Sequence, residues 1–487
     1  MQTETTSNTL DPAICEQARL TRDVRFDGLF FTAVKTTGIY CRPVCPAPTP
    51  KARNIVYYAS AAAAAAAGFR PCLRCRPEAA PGSPLHHASS ALVTGALRLI
   101  EQGALDERPV SALARRVGVG ERHLRRLFDQ ELGASPLEVA ATRRLLFAKQ
   151  LLSETDLAIT SIAGAAGYAS LRRFNSAFLE AYGKPPREFR RGRTSTSTSD
   201  AIDLRLPYRE PYDFEALLAF YERRAIPGVE CIDAGGYRRS VVVADEPGWI
   251  DVSRASNDSA LRLRVHGMRP ARLGQVVSRV RRMFDVDADP TAISGALQRE
   301  RRLRAIARRW PGQRLPGAWD GFELAVRAVL GQQVSVAAAR TLAARIVERH
   351  GSPHEAARPL GLGAHFPRPA DLADAPLEAI GLPRARASTI RGLAQACLDG
   401  RIDFAAHQPL EPLVERLVAL PGIGAWTAHY VAMRALSQPD AFPAGDLVLR
   451  KLAGDGMPIS ERAMETIAEA WRPWRAYAVM LLWRSAN

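Results

Sequence analysis

Leu420-Pro421-Gly422-Ile423-Gly424-Ala425-Trp426-Thr427-Ala428 is followed by a lone acid in Phe442-Pro443-Ala444-Gly445-Asp446. This stretch decides the reading of the chain. Two glycines one residue apart let the backbone turn tightly with positive φ, which other residues resist. The helix that follows, through Thr427 and Ala428, offers free N–H groups and the positive end of its dipole to a phosphate. An acid about twenty residues later, opening Asp446-Leu447-Val448-Leu449-Arg450, can return beside that anchor. Phosphate anchor and carboxylate together are the minimum for chemistry on a nucleotide. Asp446 also has a plain structural use, as a helix N-cap.

Working outward, 487 residues are enough for three or four domains. A net charge of +16 points to an acidic polymer as partner, nucleic acid first, although a basic proteome would give the same bias. Residues 1–193 carry 27 Lys+Arg against 17 Asp+Glu (+10), and the remainder 39 against 33 (+6). No apolar run is long enough to span a bilayer, and residues 1–30 lack a basic start followed by an apolar stretch. The expectation is a soluble cytoplasmic, nucleoid-associated protein with no membrane partner. Seven cysteines, four of them clustered, suit a reducing compartment and a metal better than a disulfide scaffold.

Four modules are expected, spanning residues 1–80, 85–193, 200–311 and 312–487. In the first, Cys41-x₃-Cys45 and Cys72-x₂-Cys75 are two close pairs separated by 26 residues. Such knuckles give Zn²⁺ four soft thiolates in a tetrahedron, so one zinc at Cys41, Cys45, Cys72 and Cys75 is predicted. Cys15, Cys231 and Cys397 are solitary and read as core or incidental residues. The alanine run Ala61 to Ala67 reads as a solvent-tolerant helix, and Ala79-Ala80-Pro81-Gly82-Ser83-Pro84 as a linker.

The second module repeats itself after about fifty residues. Ala112-Leu113-Ala114-Arg115-Arg116-Val117-Gly118 corresponds to Ser161-Ile162-Ala163-Gly164-Ala165-Ala166-Gly167, and Leu124, Phe128, Gly133 and Pro136 to Phe174, Phe178, Gly183 and Pro186. Helix, glycine turn, helix is helix-turn-helix grammar. Glu121-Arg122-His123-Leu124-Arg125 should begin one recognition helix, and Ser170 should cap the other before Leu171-Arg172-Arg173-Phe174-Asn175. Arg122, Arg125, Arg172, Arg173 and Asn175 are the candidates for bases or phosphates. Their alternative is a solvated helix face. Arg193 to Ser199 is a low-complexity linker. The third module mixes short strands, such as the alternating Leu261-Arg262-Leu263-Arg264-Val265, with helices, and the fourth is helical with Pro and Gly punctuation.

Several segments in the right order carry a resemblance. The hairpin and Asp446 look like the helix-hairpin-helix–Gly/Pro–Asp superfamily of DNA glycosylases. Asp203-Leu204-Arg205-Leu206-Pro207-Tyr208, Arg314-Leu315-Pro316-Gly317, Arg327-Ala328-Val329-Leu330-Gly331-Gln332-Gln333-Val334-Ser335 and Trp471-Arg472-Pro473-Trp474 resemble its alkylbase (3-methyladenine type II) branch. Phe30 to Cys45 with Gly68-Phe69-Arg70-Pro71-Cys72-Leu73-Arg74-Cys75 resembles the Ada-type methyltransferase domain, and residues 85–193 the AraC-type regulator domain. The implied fold class is multidomain and mainly α. It comprises a small α/β zinc domain, an all-α double helix-turn-helix domain, a TBP-like α/β domain and an all-α helix-hairpin-helix glycosylase domain. The third domain shows no chemistry of its own in the sequence.

The resemblance implies the roles. Asp446 stabilises the sugar cation while an alkylated purine leaves. Trp426, Tyr430 and Trp483 line the base pocket, where electron-rich faces suit a cationic base. Gln333 is the wedge that fills the vacated gap, a position where some relatives carry leucine. Gly422, Gly424 and Thr427 grip a phosphate. Cys41 accepts a methyl group from a DNA phosphotriester, because a metal-held thiolate is a nucleophile. Trp426 stands where strand-cutting relatives carry a lysine, so a monofunctional DNA-3-methyladenine glycosylase II is expected. No cysteine follows Asp446, so no iron–sulfur cluster is expected, nor any organic cofactor. No Pro-Cys-His-Arg motif of the O⁶-methylguanine transferase module occurs. The partners implied are double-stranded DNA, both alkylated sites and promoters, and RNA polymerase. Two other readings stay open: a regulator whose C-terminal half only binds DNA, and an enzyme whose N-terminal modules merely tether it.

Overall fold

The structure is a computed structural model describing residues 11–82, 91–106, 108–190, 201–233, 235–256, 258–404 and 409–486. The expected linker from Arg193 to Ser199, and Ser83-Pro84 of the first linker, lie outside the described residues.

The N-terminal module opens with α1 (Pro12–Thr21), whose Asp11 side chain accepts the N–H groups of Ala13 and Ile14. Its sheet comprises β1 (Phe31–Val34), β2 (Ile39–Cys41), β3 (Ile55–Tyr58) and β4 (Arg70–Pro71), in the order β3-β1-β2-β4. Only β2 and β4 run parallel, with Tyr40 opposite Pro71. That register makes Cys41 and Cys72 leave the sheet side by side. Cys15 packs in a small core with Ala18 and Phe30.

The alanine run is helical, as α2 (Ala61–Ala66), and meets solvent on one side only: Ala66 and Ala67 are exposed, while Ala62, Ala63 and Ala64 are buried. Side chains this small allow close approach. Ala62 joins the core of the next module, and Ser60 Oγ donates to Leu132 O at 3.3 Å. The first linker is likewise fixed where it is described. Glu78 is buried against Lys149, and Pro81 O accepts from Arg209 Nη2 at 3.1 Å.

The second module runs α3 (Ala91–Glu101), α4 (Val110–Arg116), α5 (Glu121–Leu132), α6 (Pro136–Glu154), α7 (Ile159–Ala165) and α8 (Leu171–Tyr182). The repeat is physical. The turns inside both helix pairs use a glycine at positive φ, Gly118 at 78° and Gly167 at 85°, and both recognition helices stop at a left-handed glycine, Gly133 and Gly183. Phe128 and Phe178 occupy equivalent, fully buried positions. A capping box from Ser135 and Glu138 starts α6, the rod between the copies.

The third module is an antiparallel sheet of β5 (Ile202–Pro207), β6 (Glu230–Asp233), β7 (Gly236–Val243), β8 (Glu246–Arg254) and β9 (Ala260–His266), in the order β5-β9-β8-β7-β6. Helices α9 (Phe214–Glu222) and α10 (Leu273–Met283) flank it, and Tyr221 and Phe284 pack on Tyr237 with ring centroids 5.2 and 5.6 Å away. Helices α11 (Pro290–Arg299) and α12 (Arg304–Arg309) lead into the last module.

There, α13 (Gly321–Leu330) is almost wholly buried and packs against α14 (Val336–His350), α16 (Arg384–Leu398) and α18 (Ala425–Ala435); the short α15 is Pro369–Leu372. The hairpin itself is α17 (Leu410–Val418), a turn, and α18. After it come α19 (Leu447–Ala453), α20 (Glu461–Ala468) and α21 (Arg475–Ser485). Arg98 of α3 donates to Leu436 O at 3.0 Å, so the second module docks onto the last one.

Candidate active sites and DNA-contacting surfaces

The two glycines of the hairpin divide their work. Gly422 adopts φ +86°, and a Cβ there would overlap the Thr389 hydroxyl on α16, so only glycine fits. Gly424 does not take positive φ: it is the N-cap of α18 at φ −88°, and a Cβ on it would meet open space. The turn holds its shape through the first glycine and keeps room before the helix through the second. Thr427 shares that helix start, but its side chain is turned inward, 3 % exposed.

Asp446 caps α19, its Oδ1 accepting from Leu449 N at 3.0 Å. It does more than cap. Trp483 Nε1 donates to Oδ1 at 3.2 Å, and Trp426 Nε1 donates to Oδ2 at 3.1 Å. Two indoles from α21 and α18 thus aim one carboxylate, and among the described residues no lysine or arginine pairs with it. The acid stays half-buried on the wall of a cavity of about 670 Å³. Trp426 stacks on Tyr430 at 5.3 Å and 6°, and Tyr430 lies 6.2 Å from Trp483. Four residues spread over 58 positions of sequence, Trp426, Tyr430, Asp446 and Trp483, therefore face one cavity.

Sequence reasoning missed the cavity's guanidiniums. Arg434, one helical turn beyond Tyr430, donates to its hydroxyl at 2.8 Å and is itself held by Pro316 O and Gly317 O. The i,i+4 spacing on α18 was a usable signal for it. Arg224 and Arg239 come from the third module, which was expected to carry no chemistry and instead supplies part of the wall, with Leu217 and Phe220. Burial pushes the Tyr430 phenol up, but the guanidiniums of Arg434, Arg224 and Arg327 reverse this and hold it below the ordinary tyrosine value. Burial brings Arg224 down to about 10. Arg434 already lies over Tyr430, 5.6 Å from its ring centroid. The expected wedge, Gln333, is exposed on the loop between α13 and α14, at φ +56°.

At the other end of the chain, the sulfur atoms of Cys41, Cys45, Cys72 and Cys75 all lie within 4.8 Å of one another, and Cys45 and Cys72 are 4.0 Å apart. Four thiolates about 2.3 Å from a zinc would stand roughly 3.8 Å apart, so the donor set fits that ion. Hydrogen bonding to Cys45, Cys72 and Cys75 pushes the Cys41 thiol up, while that from Cys41 foremost holds Cys72 down. Sulfurs so crowded share protons, and a dication is what lets all four ionise. Arg42 N donates to Cys75 Sγ at 3.3 Å, and its guanidinium pairs with Asp27. Cys72 and Cys75 are buried; Cys41 and Cys45 are the half-exposed pair. On the helix-turn-helix module, Arg122 and Arg125 of α5 and Arg172, Arg173 and Asn175 of α8 are all exposed, opposite the buried Leu124, Phe128, Phe174 and Phe178. Arg125 is paired with Glu121 at 2.7 Å.

Comparison with known proteins fits this arrangement module by module. Residues 14–78 match the metal binding domain of Ada, 113–192 a helix-turn-helix domain, 203–320 the AlkA N-terminal domain, and 326–476 the HhH-GPD superfamily of base excision DNA repair proteins. Over 476 residues the chain is 40 % identical to a Mycobacterium tuberculosis protein described as a probable bifunctional transcriptional activator/DNA repair enzyme AlkA, covering 96 % of this chain and 95 % of that one. The chain belongs to this family. Its C-terminal part is also 34 % identical over 285 residues to DNA-3-methyladenine glycosylase 2 of Escherichia coli, covering 57 % of this chain and 95 % of the relative. A solved 3-methyladenine DNA-glycosylase from Archaeoglobus fulgidus shares the fold of that part, with a TM-score of 0.50 at 24 % identity over 57 % of this chain and 96 % of that one. Among the described residues of this family member, no helix is long and apolar enough to cross a membrane.

Proposed function

We propose that the protein both repairs and reports DNA alkylation. Its C-terminal half is a monofunctional DNA-3-methyladenine glycosylase II for alkylated purines, and its N-terminal half is a methylphosphotriester methyltransferase joined to a promoter-binding regulator. One observation carries the glycosylase reading: a carboxylate aimed by two indole N–H groups into an aromatic cavity. The damaged nucleotide leaves the stack to reach it, and Gln333 enters the gap. A purine alkylated at N3 or N7 is a cation, so it departs with the C1′–N bonding pair as a neutral base and needs no strong general acid. Positive charge builds on the sugar in that step, and Asp446 stabilises it at close range. Water then adds to C1′, its proton passing to the carboxylate or to solvent, and an abasic site is left. Trp426 fills the place an amine nucleophile would need, so no strand cleavage accompanies base release.

In the N-terminal half, Cys41, Cys45, Cys72 and Cys75 would hold one zinc, which supplies a thiolate at neutral pH. The Cys41 sulfur attacks the methyl carbon of a phosphotriester; the S–C bond forms as the C–O bond breaks, and the phosphodiester leaves as an anion. A thioether replaces one negative ligand, which lessens repulsion of DNA and raises affinity for it. The helices α5 and α8 then seat on a promoter, with RNA polymerase as the partner, in the cytoplasm at the nucleoid. Chromatography of the products from a methylated duplex tests the enzyme reading: free 3-methyladenine with an uncut strand is expected, and a strand cut without added base would overturn it. A promoter-binding assay before and after methyl transfer tests the sensor: equal affinity would reduce the N-terminal modules to a tether.

A further inference from the structure

The loop between α13 and α14 carries two adjacent glutamines, and only the exposed Gln333 has been given a role. Gln332 is half-buried and turned toward the hairpin. Its Nε2 donates to Gly422 O at 2.9 Å and to Thr427 Oγ1 at 3.1 Å. Its own carbonyl accepts from Arg386 Nη2 at 2.8 Å, and Arg386 sits in the first turn of α16. The same helix supplies Thr389, the residue against which Gly422 packs. Wedge loop, phosphate turn and α16 thus meet at one side chain.

The backbone explains why a strap is needed. Gln333 is held at φ +56°, a left-handed conformation that residues with a side chain rarely adopt. Such a loop does not keep its shape unaided. The carbonyl that Arg386 grips belongs to the Gln332–Gln333 peptide, the plane that sets the direction of Gln333. The side chain of Gln332 secures the other end of that plane to the hairpin.

We propose that Gln332 is a positioning residue that locks the wedge to the phosphate anchor, so that Gln333 enters the helix at a fixed distance from the gripped strand. The proposal rests on the glycosylase reading of the cleft. Gln332 touches no reacting atom and acts through Gln333. Its loss should slow extrusion of a paired nucleotide and spare release of one that has no pairing partner to leave.

The test uses the full chain with duplexes carrying a single alkylated purine, either paired or opposite an abasic gap. Gln332→Met keeps the length of the side chain and removes its donor, and Thr427→Val removes one acceptor. Single-turnover release is read beside the fluorescence of a neighbouring 2-aminopurine, which reports unstacking. Expected for Q332M is release from the paired lesion slowed about tenfold with a weaker fluorescence rise, and release from the unpaired lesion within about twofold of wild type. The double variant should be no slower than the worse single one, since the two groups share a bond. Wild-type speed on the paired lesion, equal slowing on both substrates, or additive effects of the two substitutions would each overturn the strap. Failure of the wild type on both substrates would instead overturn the glycosylase reading.

Discussion

Replacing each hairpin glycine by alanine should give two different defects. At Gly422 the new methyl must sit at φ +86° and overlap the Thr389 hydroxyl. The left-handed backbone costs about 1–2 kcal/mol, and forcing a group into packed space about 1–3 kcal/mol more. Gly422→Ala should therefore lose roughly 2–5 kcal/mol of stability in the C-terminal half. At Gly424 the backbone is extended at φ −88°, ψ 172°, and nothing lies within 4 Å of the new methyl. Gly424→Ala should cost the fold no more than about 1 kcal/mol, yet its methyl occupies the space before the α18 N–H groups where a phosphate would sit. Affinity for DNA should drop about tenfold, or about 1.4 kcal/mol. Thermal unfolding reads the first effect, and fluorescence anisotropy with a duplex carrying an abasic-site analogue reads the second, at one fixed salt concentration. A G422A protein melting with the wild type, or a G424A protein binding with wild-type affinity, would refute the division of labour between the two glycines.

Cys41→Ala should abolish methyl transfer and lower bound zinc, measured by a chromogenic chelator, whereas Cys231→Ser and Cys397→Ser should match wild type in both. His365 is 4 % exposed and stacked on His354 at 4.4 Å, and burial first, then His354 and Arg239, push it down to about 4. The folded chain thus refuses a proton that the unfolded chain accepts near pH 6.5, so this group has no effect above that pH and removes stability as pH falls toward 4. The loss reaches about 3 kcal/mol. His365→Phe should flatten the fall in unfolding midpoint between pH 6.5 and 4.5, a window below the unfolded value and above the folded one. An unchanged slope would contradict this.

What the sequence revealed was the chemistry that sits at fixed spacing on one element or one turn. The hairpin, the acid, and Trp426 with Tyr430 one helical turn apart are of this kind, as are the cysteine knuckles and the helix-turn-helix repeat. The pocket's guanidiniums were not legible, because Arg224 reaches Tyr430, and Arg239 the wall of the same cavity, across about two hundred residues with no local pattern to mark them. A Gly-x-Gly pattern does not tell which glycine turns left-handed; the position of Thr389 on another helix decides that. The alanine run misled for a related reason. Its propensity gave a helix, but whether small side chains face water or another module depends on the surface opposite, here α6 and the end of α5. The two glutamines differ only in which way a strained loop turns them.

The central claim is that the Asp446 carboxylate stabilises the sugar cation as an alkylated purine leaves. A unit charge about 4 Å from that cation, at an effective dielectric constant of about 20, contributes about 4 kcal/mol. Single-turnover release of 3-methyladenine from an alkylated duplex, by wild type and by Asp446→Asn at equal DNA occupancy, measures it directly. The account predicts a loss of about a thousandfold with DNA binding retained. Release by the asparagine variant at the wild-type rate would contradict it.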